Sequence, residues 1–102
     1  MIKIVVQYFN GCPNADVMIK RAKEAISIFT EQVDYTEVIV DTQAKAQQYK
    51  FRGSPTVLIN GIDLEGLPEP TDGNLSCRFY NNGIPSVETI VNKLEKSSNE
   101  EE

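Results

Sequence analysis

The amino-acid sequence predicts a single α/β domain with a mixed four-stranded sheet and three helices. The chain has 102 residues, which is a usual size for one compact core. Apolar runs typical of strands alternate with segments of helical periodicity, and a two-residue turn joins the last two strands. Right-handed crossovers make the first two strands parallel neighbours, whereas the turn makes an antiparallel pair. The expected element order is therefore β-α-β-α-β-β-α.

The first half of the chain carries two strands, each followed by a helix. Residues 2–9 are rich in β-branched and aromatic side chains, as in a central strand covered on both faces. Apolar residues recur at helical spacing over residues 13–29, and the proline that starts this segment suits a first helical turn. Residues 33–40 predict the second strand, and residues 43–50 predict a short helix capped by Asp41-Thr42.

The second half begins with a hairpin. Asn60-Gly61, the strongest two-residue hairpin signal, joins residues 56–59 to residues 62–65. Residues 66–76 form a connector without periodicity, and its prolines and glycine indicate a loop that folds back. Residues 77–80 are expected to add a short extended piece.

A third helix closes the domain. Apolar residues at i, i+3, i+4 and i+7 predict a helix over about residues 86–96. Residues 97–102 are polar and acidic, so we expect a flexible tail outside a domain of residues 1–96.

Composition and charge exclude several function classes. The net charge is −5 with no basic patch, so nucleic acid is not an expected partner. The absence of histidine excludes Ser/His/Asp and Cys/His catalysis and the HExxH zinc site. Two cysteines are too few for a four-coordinate zinc site or a disulfide scaffold. With no run of membrane-spanning length and no secretory leader, we expect a cytoplasmic protein without a membrane partner.

The element order and three short motifs together resemble the thioredoxin-like superfamily over roughly residues 2–96. The motifs are Gly11-Cys12-Pro13-Asn14-Ala15, Val40-Asp41 and Tyr49-Lys50-Phe51-Arg52-Gly53-Ser54-Pro55-Thr56-Val57. The resemblance implies that Pro55 is a cis proline facing a redox cysteine and that Ser54 lies beside substrate. Pro13 and Asn14, which follow the cysteine, complete the candidate substrate-binding residues.

Cys12 is the candidate nucleophile. At the N-terminus of the first helix, unpaired N–H groups and the helix dipole stabilise a thiolate and lower its pKa. Asp16 in the same turn opposes this effect. Arg52 and Arg78 either hold a substrate carboxylate or are solvated surface charges, and solvated charge is the commoner fate.

The sequence departs from the superfamily pattern at Ala15, where thioredoxins carry a second cysteine. A mixed disulfide on Cys12 must then be resolved by an outside thiol such as glutathione or by Cys77. Since the hairpin returns the chain to the edge where Pro55 lies, a folded-back connector brings Cys77 near Cys12. Alternatively, Cys77 alternates with Phe79 as a buried small hydrophobe, and the aromatic residues Tyr8, Phe9, Tyr49 and Phe79 are expected in the core.

The sequence predicts a thiol-disulfide oxidoreductase of thioredoxin or glutaredoxin type, with Cys12 and Cys77 as candidate catalytic residues. It needs no bound cofactor or metal, and its partner is a protein or low-molecular-weight thiol or disulfide. One alternative is a non-catalytic carrier of a soft metal, because Gly-Cys-Pro-Asn with a later Ser-Cys-Arg also resembles a small thioredoxin-like group with selenocysteine at this position or mercury-related descriptions. The other alternative is an interaction scaffold on the same fold.

Overall fold

The computed structural model describes residues 1–101, and the side chains of residues 1–99. Its elements follow the predicted order: β1 (Ile2–Tyr8), α1 (Pro13–Ile28), β2 (Val33–Ile39), α2 (Gln43–Tyr49), β3 (Thr56–Ile59), β4 (Ile62–Asp63) and α3 (Val87–Glu101). The predicted α/β class, with four strands and three helices, is confirmed. None of the described helices is both long and apolar enough to cross a membrane.

The four strands form one mixed sheet in the order β2-β1-β3-β4. β1 runs parallel to β2, with Ile2 opposite Val33, and antiparallel to β3, with Ile4 opposite Ile59. The turn at Asn60-Gly61 joins β3 to β4, as its sequence predicts, and both turn residues adopt positive φ angles. β1 is therefore a central strand.

The main core lies between one face of the sheet and the helices α1 and α3. β1 contributes Ile2, Ile4 and Val6, which alternate along the strand and are fully or almost fully buried. The helices contribute buried residues at helical spacing, including Met18, Ala22, Ala25, Ile90 and Leu94. A smaller cluster of Val40, Ala46 and Phe51 packs α2 against the chain that follows β2.

Two element ends differ from prediction by more than one residue, because of side-chain contacts. β4 ends at Asp63 rather than at residue 65, since the Asp63 carboxylate accepts the N–H groups of Glu65 (3.0 Å) and Leu67 (3.1 Å) and turns the chain. α3 continues to Glu101, five residues past its predicted end at residue 96. Ser98 in this extension is buried and donates to the Glu31 carboxylate, which ties residues expected in the tail to the domain. Glu102, also assigned to that tail, lies outside the described residues.

Candidate redox site

Cys12 is the residue immediately before α1, and Pro13 is the first residue of that helix. Its extended backbone, with φ −88° and ψ 113°, is usual for a residue that starts a helix. The residue is only 4% exposed, although its sulfur closes no capping hydrogen bond. Cys12 therefore lies at the positive end of the helix, as predicted, but beneath a cover of other residues.

Cys77 supplies part of this cover. Its Sγ lies 3.5 Å from Cys12 Sγ, and both cysteines are free thiols. A disulfide bond is about 2.05 Å long, so a relative movement of about 1.5 Å would join the two sulfurs. The structure thus brings together two cysteines that lie 65 positions apart in the sequence. The alternative of a buried Cys77 is wrong, because this residue is exposed.

The connector delivers Cys77 by folding back over α2. The Asn74 N–H donates to the Phe51 carbonyl (2.8 Å), and the Gly73 N–H donates to the Gln47 side chain (3.0 Å). Gly73 packs so closely that a Cβ there would lie 1.9 Å from the Ala46 carbonyl oxygen. Only glycine fits at this position, and the residues that follow it are brought back to the edge where Cys12 lies.

Residues 74–80, named here the Cys77 segment, run alongside Ser54. The Ser54 N–H donates to the Ser76 carbonyl, and the Ser54 carbonyl accepts from the Arg78 N–H, both at 2.8 Å. The two bonds form an isolated parallel bridge between Ser54 and Cys77. The resemblance places Ser54 beside substrate, but here its N–H and carbonyl groups are both hydrogen-bonded within this chain.

The Ser54-Pro55 peptide bond is cis, as the resemblance implies. The Ser54 hydroxyl oxygen accepts the Phe9 N–H at 3.2 Å, and the Ser54 carbonyl oxygen lies 3.7 Å from Cys12 Sγ. Ser54 is fully buried, so it packs directly between the β1 end and the cysteine pair.

Arg78 anchors the Cys77 segment through a buried ion pair. Its guanidinium donates two hydrogen bonds to the Asp63 carboxylate, at 2.6 and 2.9 Å, and a third to Thr56 Oγ1 at 3.2 Å. The ring of Tyr80 stacks on the guanidinium, 4.5 Å from its carbon. The side chain of Arg78 is 7% exposed and that of Asp63 is 1% exposed. Arg78 is therefore neither a solvated charge nor free to bind a substrate carboxylate.

Two further contacts, made by Tyr80 and Gly53, hold the Cys77 segment against the Ser54-Pro55 turn. The Tyr80 hydroxyl donates to the Pro55 carbonyl at 2.6 Å. Gly53 has φ +107°, and a Cβ there would lie 2.9 Å from the Arg78 Cβ. Glycine at this position permits both the turn and the close approach of the segment.

Sequence reasoning missed Asp63, because an isolated acidic residue in a hairpin resembles a solvated one. Its position in the run Ile62-Asp63-Leu64 was the only signal. Burial raises the pKa of the Asp63 carboxyl, but the Arg78 hydrogen bonds and the backbone donors outweigh burial and hold that pKa below its ordinary value.

The remaining predicted residues lie around the cysteine pair. Pro13 and Asn14 are exposed, and Asn14 lines a surface cleft of about 200 Å³ together with Arg78, Phe79, Tyr80, Gly83 and Ile84. Arg52 instead donates to the Leu67 carbonyl and stabilises the connector.

Of the four aromatic residues expected in the core, none is fully buried. Phe79 is 84% exposed beside Cys77, because residues 77 and 79 of the extended segment both face outward. Tyr49 is also exposed, whereas Tyr8 and Phe9 are half-buried at the margins of the two core clusters. For Phe79 and Tyr49 the prediction is wrong.

The two thiols have opposite electrostatic settings. Burial raises the pKa of the Cys12 thiol, but the neighbouring Cys77 and Ser54 and the backbone of Asn14 and Ala15 at the start of the helix outweigh burial and bring that pKa below its ordinary value. The hydrogen bond to Cys12 raises the pKa of the Cys77 thiol, and partial desolvation and the nearby negative charge add to the effect. Of the two thiols, Cys12 is therefore the one that loses its proton more readily.

Comparison with known proteins gives the fold. No protein-family model and no curated protein matches the chain. A protein of the malaria parasite superposes with a TM-score of 0.61 at 10% identity, covering 94% of this chain and 96% of that one. Malaria-parasite thioredoxin-2, a component of the protein secretion machinery, gives a TM-score of 0.62 at 9% identity, covering 94% and 82%. The fold is thioredoxin-like.

A third structure supports the same conclusion. Human ERp44 in a zinc-bound form superposes with a TM-score of 0.59 at 21% identity, covering 93% of this chain. This chain matches only 26% of ERp44, so the likeness concerns one thioredoxin-like unit of a longer protein. Among the described residues of this chain, no group of three or more acidic or cysteine side chains is placed to hold a metal ion.

Proposed function

We propose that this protein is a thiol-disulfide oxidoreductase whose redox-active pair is Cys12 and Cys77. The single observation that carries the proposal is the 3.5 Å separation of the two sulfurs at the N-terminus of α1. Cys77 takes the place of the second cysteine that is absent at Ala15, although it lies 65 positions after Cys12 in the sequence. We assign the chain to the thioredoxin-like group with a single cysteine in a Gly-Cys-Pro-Asn turn.

The pair holds two electrons and one proton for exchange. The reactive form of the reduced pair has Cys12 as the thiolate and Cys77 as the thiol, because the thiolate is the nucleophilic form of cysteine. Reaction with a disulfide R–S–S–R breaks that bond and forms the Cys12–Cys77 bond, releasing one RS⁻ and one RSH. The substrate disulfide is reduced by two electrons, and the protein dithiol is oxidised. In the cytoplasm, where we place the protein, the thiol pool restores the dithiol.

The proximity of Cys77 favours internal resolution over resolution by glutathione. A thiol held next to a mixed disulfide reacts at an effective concentration far above that of any free thiol. The Cys77 segment is fixed by backbone pairing with Ser54 and by the Asp63–Arg78 ion pair, so Cys77 stays within reach of Cys12.

The test is disulfide reduction by the wild-type protein and two serine variants. The wild type should form an intramolecular disulfide, seen as a loss of two mass units and of two titratable thiols, and Cys12→Ser should abolish turnover. Cys77→Ser should also lose turnover, because no internal disulfide can form in either serine variant. Ser97→Ala, on α3 and outside the redox site, is the matched control and should behave as wild type. Unchanged turnover in Cys12→Ser would contradict the proposal.

Capture of a soft cation is a second candidate, because the same pair offers two adjacent sulfur ligands without a third ligand among the described residues. Such a site suits a two-coordinate ion such as Hg²⁺, whereas zinc prefers four ligands. Stoichiometric Hg²⁺ binding that both serine variants lose, in a protein without disulfide turnover, would favour this function over exchange.

A further inference from the structure

The access route to Cys12 beside Ser54 is closed by the chain itself. The two 2.8 Å hydrogen bonds from Ser54 to Ser76 and Arg78 lie on either side of Cys77. An extended peptide has no free Ser54 peptide group to pair with in this position. The Cys77 segment thus occupies the place that the resemblance gives to a substrate.

The two sulfurs differ in their access to solvent. Cys12 is 4% exposed, with the α1 N-terminus, the Ser54 carbonyl and the Cys77 sulfur around it. Cys77 is exposed. An attacking sulfur must approach the sulfur with which it forms a bond, so a bulky disulfide or thiol meets Cys77 before it meets Cys12.

The cover over Cys12 is a fixed part of the fold. Arg78, next to Cys77, is held by the buried Asp63 carboxylate, and Tyr80 is hydrogen-bonded to the Pro55 carbonyl. Arg78 approaches Gly53 so closely that a Cβ there would lie 3.2 Å from the Arg78 Cα. Moving the segment aside would break the ion pair and both backbone bonds to Ser54 together.

We propose that external disulfides and thiols exchange at Cys77, and that Cys12 is the internal partner, which exchanges with the Cys77 sulfur rather than with the external disulfide. This inference rests on the proposed function and assigns the order of its steps. It places the contact with substrate on a residue outside the turn that carries the superfamily motif, and makes Cys12 the resolving sulfur.

The steps balance as follows. The Cys77 proton passes to the Cys12 thiolate, and the Cys77 thiolate attacks R–S–S–R, forming Cys77–S–S–R and releasing RS⁻. That RS⁻ takes the proton from Cys12, and the Cys12 thiolate then attacks the Cys77 sulfur, forming the Cys12–Cys77 bond and releasing a second RS⁻. In the reverse direction an external thiolate attacks Cys77 and expels Cys12, the better leaving group of the two.

The test compares a bulky and a small reagent on each sulfur separately. Cys12→Ser leaves only Cys77, and Cys77→Ser leaves only Cys12 while keeping the size of the covering side chain. The rate constant with glutathione disulfide is divided by that with iodoacetamide for each variant. This ratio removes much of the difference in thiolate fraction and reactivity between the two cysteines, and leaves the difference in access. Circular dichroism verifies the fold of both variants.

We expect the ratio to be at least about tenfold larger for Cys77 than for Cys12, because exposure controls the reaction with the bulky reagent. Equal ratios, or a larger ratio for Cys12, would overturn the inference. Disulfide formation by the wild type is measured separately and does not enter the ratio. Failure of the proposed function and failure of this inference are therefore distinguishable.

Discussion

Replacing Asp63 by asparagine should destabilise the protein strongly, because the change leaves the Arg78 guanidinium buried without its counter-charge. The pair is bidentate, at 2.6 and 2.9 Å, and the two side chains are 1% and 7% exposed. Removing one member of such a buried pair typically costs about 3–5 kcal/mol. At about 4–8 °C per kcal/mol for a domain of this size, the melting temperature should fall by at least about 12 °C.

A double variant separates the charge from the packing. Asp63→Asn combined with Arg78→Met removes both charges, while the asparagine oxygen still accepts the Glu65 and Leu67 N–H groups. This variant should recover much of the loss, because it leaves no buried charge without its partner. Thermal and urea unfolding followed by circular dichroism measure both variants. A loss below about 1 kcal/mol in Asp63→Asn, the range of solvent-screened surface pairs, would refute the reasoning.

The same pair gives the stability a defined pH dependence. The folded state holds the pKa of Asp63 below its ordinary value of 3.8, so the unfolded chain binds this proton more readily than the folded one. The stabilisation by the carboxylate is therefore fully present at about one pH unit above the unfolded-state pKa of 3.8. It is lost as the pH falls through the lower pKa of the folded state. The difference in unfolding free energy between wild type and Asp63→Asn should therefore shrink in acid, and a constant difference down to pH 2 would contradict the assignment.

Three further predictions concern the redox site. The pH midpoint of Cys12 alkylation reports the pKa of its thiol and should lie below 9.0, the ordinary value for cysteine. Cys77→Ala should raise this midpoint, because it removes a hydrogen-bond donor to Cys12. A midpoint unchanged by Cys77→Ala would show that Cys77 does not contribute to the lowered pKa. Gly53→Ala should cost about 1–3 kcal/mol in urea unfolding, because the new Cβ meets the Cys77 segment, and more than Gly83→Ala, which has positive φ but open space. Tyr80→Phe should cost about 1–2 kcal/mol by leaving a buried carbonyl without its donor, and should slow disulfide closure; wild-type values for both would show that the hydrogen bond holds nothing in place.

The elements that were predicted correctly have local signals in the chain. Asn60-Gly61 specifies a tight turn whatever surrounds it, because both positions need positive φ angles. Pro13 starts α1 because proline has the φ angle of a helix and no N–H to leave unpaired. The placement of Cys12 at the N-terminus of α1 followed directly from Pro13, the next residue in the sequence.

The predictions that failed depend on contacts between distant residues. Phe79 is apolar, yet it is exposed because Arg78 must face Asp63, and alternate residues of an extended segment face opposite sides. The end of α3 was set too early because its last residues are polar, whereas Ser98 is held by Glu31 in the connection between α1 and β2. Neither the Arg78–Asp63 contact nor the Ser98–Glu31 contact can be predicted from the residues next to it in the sequence.

The sequence by itself determined the order of the elements, the hairpin, and the position of one cysteine at the start of a helix, since each depends on residues a few positions apart. Only the tertiary structure decided that Cys77 lies 3.5 Å from Cys12 and lies over it. That arrangement depends on the path of a loop without periodicity. Its path is fixed by backbone pairing to Ser54 and by one buried ion pair, interactions whose partners become neighbours only after the chain has folded.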